Sequence, residues 1–91
     1  MRNVLVTGSR GIGLEFARQY LRKGDRVFAA SRMPEKSSDL QKLEAEFDDR
    51  LSIHRLDVSS DDSRRRLLRL LSKEIAELDI LINNAGIASG N

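Results

Sequence analysis

Val4-Leu5-Val6-Thr7-Gly8-Ser9-Arg10-Gly11-Ile12-Gly13 is the stretch that decides the fold of this chain. A short apolar run ends in a turn with three glycines, and a helical pattern follows at once. The stretch therefore reads as strand, turn and helix. Such a turn suits an anion. Free backbone N–H groups at a helix start point outward, and the aligned peptide dipoles add roughly half a positive charge there. Glycine bends the backbone sharply and lets a phosphate approach without meeting a Cβ.

Outward from this corner, apolar runs alternate with helical stripes. The first strand is predicted over 2–7. Its unbroken Val4-Leu5-Val6 suits a strand buried on both faces. A first helix is predicted over 11–23, with Ile12, Phe16, Ala17 and Tyr20 on its buried face, Arg22 and Lys23 in its last turn and Gly24 as its cap. Residues 26–31 read as a second strand, broken off by Pro34. A second helix over 38–48 starts with Ser38 and Gln41 as a capping box and buries Leu40, Leu43 and Phe47. Residues 51–57 form a third strand. Ser59-Ser60-Asp61-Asp62 caps a third helix over 60–77, with Leu67, Leu71, Ile75 and Leu78 in line and Leu68 beside them. Residues 79–83 form a fourth strand.

This β-α-β-α-β-α-β order predicts an α/β fold, a doubly wound parallel sheet with strand order 3-2-1-4 and helices on both faces. Ligands of such sheets bind outside the carboxyl ends of the strands, at the switch point between strands one and four. The glycine turn, Ser31-Arg32, Asp57-Val58 and Asn83 to Gly86 all follow such ends. Four separated segments thus point at one crevice. By analogy with dinucleotide-binding turns, Gly8 makes the tight turn, Gly11 gives a pyrophosphate room and Gly13 lets the helix lie close to the strand.

Composition narrows the options further. Ninety-one residues make one domain at most, or a piece of one. Charged residues are 33% of the chain, mixed in sign, and sum to only +2, so neither a nucleic-acid nor a membrane partner is expected. There is no cysteine, which excludes disulfides and thiolate metal sites. The chain starts almost directly with a strand, without a basic-then-apolar leader, and a cytoplasmic location is expected. His54 reads as a packed or surface histidine, and Arg64-Arg65-Arg66 as a solvated helix face without the interleaved aromatics of a nucleic-acid platform.

Thr7 to Gly13, Leu56-Asp57-Val58 and Asn83-Asn84-Ala85-Gly86 together resemble, in order and spacing, the N-terminal part of the short-chain dehydrogenases/reductases. Local wording such as Gly11-Ile12-Gly13-Leu14-Glu15 and Met33-Pro34-Glu35-Lys36 is similar to the C-factor and sniffer-like carbonyl reductases. The resemblance implies a Rossmann-type NAD(P)-binding domain over 1–91, truncated before the catalytic half. It implies that Gly8, Ser9, Arg10, Gly11, Ile12 and Gly13 hold the pyrophosphate and ribose. Asp57 would accept from the adenine amino group with Val58 beside the ring, Asn83 would tie strand four to its neighbours, and Asn84, Ala85 and Gly86 would line the adenosine ribose.

Cofactor choice follows from charge. An acid about 20 residues beyond the turn would bind a ribose 2′-hydroxyl and repel a 2′-phosphate. Here the second strand ends in Ser31-Arg32 instead, and a guanidinium forks onto phosphate. NADP(H) is therefore expected over NAD(H), with Arg10 on the same side. The family's catalytic tyrosine needs a lysine four residues later, but Gly24 follows Tyr20 at that spacing, so Tyr20 is a packing residue. The catalytic residues would lie beyond Asn91. Reversible hydride transfer with a small carbonyl or alcohol substrate is thus expected only with a further half. The other readings are a nucleotide-binding or subunit-interaction module without chemistry, or a fragment that binds no nucleotide. With strand four as an open edge, marginal stability or self-association into a homo-oligomer is expected.

Overall fold

Val4, Leu5 and Val6 are all buried, and they point alternately to opposite faces of a sheet. That alternation sets the layers. The computed structural model describes residues 1–8, 11–47 and 49–83. It contains strand β1 (Asn3–Thr7), helix α1 (Ile12–Arg22), strand β2 (Arg26–Ser31), a single turn of 3₁₀ helix (Pro34–Lys36), helix α2 (Ser38–Glu46), strand β3 (Leu51–Arg55), helix α3 (Asp61–Glu74) and strand β4 (Ile80–Asn83). The four strands form one parallel sheet in the order β3-β2-β1-β4, as the alternating pattern predicts. No helix among the described residues is long and apolar enough to cross a membrane.

One face packs Val4, Val6, Val27 and Ala29 against Ala17 and Leu21 of α1 and Leu40 and Leu43 of α2. The other packs Leu5, Phe28 and Ala30 against Leu67 and Leu71 of α3, with Ile75 and Val58 at its margin. Each fully buried aliphatic or aromatic side chain contributes about 1.5–3 kcal/mol through area removed from water. On the α3 side, Leu81 of the terminal strand β4 pairs in register with Leu5 yet stays 56% exposed.

Helix ends follow local chemistry. Ser60 accepts from the Ser63 amide at 3.1 Å and caps α3, with Asp61 and Asp62 in the first turn. Gly24, with φ of 95°, ends α1 in the left-handed region. Its N–H donates to the Leu21 carbonyl and that of Asp25 to the Tyr20 carbonyl, each at 3.0 Å, which is the Schellman arrangement. Asp25 follows, only 5% exposed, and accepts from the Arg2 backbone N–H at 3.1 Å and from its guanidinium at 3.0 Å. These bonds hold its carboxyl below the usual range against the opposing effect of burial.

Strand β3 ends at Arg55 and helix α2 at Glu46, each two residues short of the expected bounds, and three further details of the helices differ from the sequence-based expectations. The buried stripe of α1 is Gly13, Ala17 and Leu21, whereas Ile12 is 68% exposed and Phe16 and Tyr20 are only half-buried. The cap of α2 is Ser37, which accepts from the Leu40 N–H at 3.2 Å, so the Ser38–Gln41 box does not form. Helix α3 stops at Glu74, because Ile75 is extended (φ −134°, ψ 147°) and turns the chain back toward β4, leaving Leu78 exposed, while Leu68 is exposed on the outer side of the helix itself.

His54 sits on β3 opposite Ala30, with its ring centroid 5.9 Å from that of Phe28. Its Nε2 is sealed from solvent without a hydrogen-bond partner among the described residues. Burial pushes the imidazole below its ordinary 6.5, with the Glu74 charge pulling the other way. As pH falls, the unfolded chain protonates here before the folded one does, so the unfolded state binds more protons in the window below about 6.5 and stability declines with pH. We expect the urea midpoint to drop between about pH 7.5 and about pH 5.5, and to drop less in His54→Phe. Parallel pH profiles for the two proteins would contradict this.

Candidate functional site

The carboxyl ends of the parallel strands lie along one edge of the sheet, and most of the expected site residues follow them. Beyond β1, the Gly8 N–H still bonds to the Ala30 carbonyl, at 2.7 Å, so pairing with β2 runs into the base of the turn. Gly11 is the N-cap of α1, with φ of 52° and ψ of −115°, and no side chain caps it. An L-residue rarely adopts that backbone, which explains glycine here. The first helical bond runs from Glu15 N–H to the Gly11 carbonyl at 3.1 Å. The amides of Ile12, Gly13 and Leu14 precede it and have no acceptor within the helix. Gly13 is buried, consistent with a close approach of helix to sheet. Ser9 and Arg10 lie outside the described residues.

Ser31 ends β2, and its carbonyl accepts from the Leu56 N–H at 2.8 Å, so the β2–β3 ladder also continues past the strand end. The Ser31 Oγ is buried without a hydrogen-bond partner among the described residues, a cost that a ligand would remove. Next to it, the exposed Arg32 forms no ion pair among the described residues. Its backbone carbonyl accepts from Arg55 Nη1 at 3.3 Å, and Arg55 Nη2 pairs with Glu35 at 2.9 Å.

Asp57 follows β3. Its N–H donates to Ser63 Oγ at 2.9 Å, and its Oδ1 accepts from the Ser59 N–H at 3.0 Å and the Ser59 hydroxyl at 2.6 Å. These Ser59 bonds hold the carboxyl below the usual range; burial opposes them, and the charges of Arg32 and Arg64 add to them. The Arg32 charge is therefore felt at Asp57, across the β2–β3 strand ends. Val58 is half-buried against the α3-side core. On the other flank, the Thr7 hydroxyl donates to Asn83 Oδ1 at 3.0 Å and ties β1 to β4. Asn84, Ala85 and Gly86 lie outside the described residues.

The structure thus brings Gly8, Gly11, Ile12, Gly13, Ser31, Arg32, Asp57 and Val58 to one end of the sheet. Sequence reasoning missed Arg55 and Ser63. The order 3-2-1-4 makes Arg55 a neighbour of Ser31, and this was the available signal for it. No group of three or more potential metal ligands occurs among the described residues.

Comparison with known proteins places this geometry. A family model described as short chain dehydrogenase matches residues 2–91. The chain is 45% identical over 89 residues to carbonyl reductase [NADPH] 1 of Mus musculus, covering 92% of this chain and 31% of that protein. It is 38% identical over 86 residues to the chloroplastic chlorophyll(ide) b reductase NOL of Arabidopsis thaliana, covering 92% of this chain and 25% of that one. Among solved structures, a carbonyl reductase from Pseudomonas aeruginosa PAO1 in complex with NADP superposes with a TM-score of 0.75 at 40% identity, over 78% of this chain and 33% of that one. The chain therefore spans a quarter to a third of the length of these relatives.

Proposed function

Because the chain belongs to the short-chain dehydrogenase family, we propose that residues 1–91 form the dinucleotide-holding part of an NADP(H)-dependent carbonyl or alcohol oxidoreductase. The observation that carries this reading is one arrangement: an α1 N-terminus behind Gly8 and Gly11 with no side-chain cap among the described residues, at the same end of the sheet as Arg32, which has no ion-pair partner among them.

In this reading the turn from Gly8 through Ser9, Arg10, Gly11, Ile12 and Gly13 holds the pyrophosphate against the α1 amides. Ser31 and Arg32 take the ribose 2′-phosphate, and the buried Ser31 hydroxyl gains the partner it lacks. Asp57 keeps Oδ1 on Ser59 and offers Oδ2 to the adenine amino group, with Val58 beside the ring. The backbone of Asn84, Ala85 and Gly86 lines the adenosine ribose. When bound, the nicotinamide supplies the hydride. The residues of this chain bind and orient the adenosine half of the cofactor. Tyr20 is followed by Gly24 rather than by a lysine at that spacing, so it supplies no proton to a substrate carbonyl. The domain extends over 1–91 as an N-terminal portion, and the cytoplasm is its proposed location.

Isothermal titration of the purified chain tests the reading. We expect saturable binding of NADPH and no NADPH-dependent reduction of small ketones or aldehydes. Titrations without heat for both NADPH and NADH would overturn it.

A further inference from the structure

Arg55 has no role in the reading above, yet its side chain makes two hydrogen bonds to the loop that carries Arg32. Its backbone is fixed in β3 as the register partner of Ser31, and the next amide, Leu56 N–H, bonds to the Ser31 carbonyl. From this anchor its side chain crosses to the segment between β2 and α2. There Nη1 donates to the Arg32 carbonyl at 3.3 Å and Nη2 to Glu35 Oε1 at 2.9 Å, contacts that span 23 and 20 residues of sequence. Two separate nitrogens on one rigid plane make this bridge, which a single ammonium cannot reproduce.

We infer that Arg55 is a positioning residue for 2′-phosphate recognition: it fixes the turn that presents the Arg32 side chain and keeps the Glu35 carboxylate engaged away from it. The inference rests on the proposal that Arg32 binds the phosphate. Glu35 lies three residues beyond Arg32 and is charged at neutral pH, its carboxyl held low first by its own backbone N–H and then, against burial, by Arg55. Released from Arg55, that carboxylate would compete with the phosphate for Arg32. Arg55 itself is 62% exposed by side chain, so its removal leaves no cavity in the core.

The test is a double-mutant cycle on the full chain, reading NADPH and NADH dissociation constants by calorimetry. Wild type preferring NADPH is the premise, and equal binding of the two cofactors would instead defeat the proposed role of Arg32. Given that preference, Arg55→Met lowers it by roughly three- to fivefold, the scale of an exposed ion pair, with NADH affinity nearly unchanged. Arg55→Lys keeps the charge but loses the preference to the same extent. In an Arg32→Ala background, Arg55→Met has no further effect on the ratio, because Arg55 acts only through Arg32. An unchanged preference in Arg55→Met overturns the inference. So does full retention by Arg55→Lys, which would mean a charge effect alone, or an undiminished loss in the Arg32→Ala background, which would mean direct phosphate contact.

Discussion

Arg32→Asp is expected to weaken NADPH binding by about 10- to 100-fold while changing NADH binding only a fewfold, because charge-assisted hydrogen bonds to the 2′-phosphate are replaced by repulsion. The site is open to solvent at this position, so the effect should shrink as ionic strength rises. The structure makes the substitution selective. Arg32 lies just past the carboxyl end of β2 and is exposed, and it belongs to neither cluster of buried side chains among the described residues. Calorimetric titration of both cofactors against both proteins measures the ratio. An equal loss for NADPH and NADH would show that the substitution damages the crevice as a whole and would remove the assignment of the phosphate to Arg32.

Phe28→Ala should be the most damaging single truncation in the molecule. Phe28 is fully buried at 0% exposure on the α3 side, where the cluster of buried side chains holds only Leu5, Ala30, Leu56, Leu67 and Leu71 besides it. The Arg26 guanidinium lies 4.8 Å from its ring centroid, and His54 packs on another side. Removing a ring from such a site costs about 3–5 kcal/mol through lost burial and the cavity left behind. A chain of this size has roughly 5–14 kcal/mol in total. The melting temperature followed by far-UV circular dichroism should fall by about 15 °C or more. A fall of only a few degrees would mean that α3 collapses onto the sheet and that this face is more plastic than its packing indicates.

The layers and the strand order were legible from the chain because period and punctuation agree. Val4-Leu5-Val6 and Val27-Phe28-Ala29-Ala30 are unbroken apolar runs bounded by Gly8, Gly24 and Pro34, and β2 has the bounds the sequence implies. Spacing alone could not choose the buried stripe of α1. The sequence reading of Ile12, Phe16, Ala17 and Tyr20 mixes two neighbouring rows of the helix; Ala17 is buried as expected, but its row continues through Gly13 and Leu21 rather than through the larger Ile12 and Phe16. The row that packs is the one with small residues, which let the helix come close to the sheet. The end of α3 was hidden for a related reason. Leu67, Leu71 and Leu78 continue a helical stripe in sequence, but the chain must leave the helix at Ile75 to bring β4 back beside β1. At the candidate site, sequence located the strand ends. It could not show that Oδ1 of Asp57 is occupied by Ser59, or that Arg55 reaches Arg32, because both depend on how side chains cross between elements.

The Thr7–Asn83 bond closes a loop of 76 residues, whereas the Arg2–Asp25 contact closes one of 23. Ring-closing entropy alone makes the longer closure about 1 kcal/mol dearer. Strand β4 therefore joins β1 at a larger loop-closure cost than β2 does, and the Thr7–Asn83 bond helps to offset it.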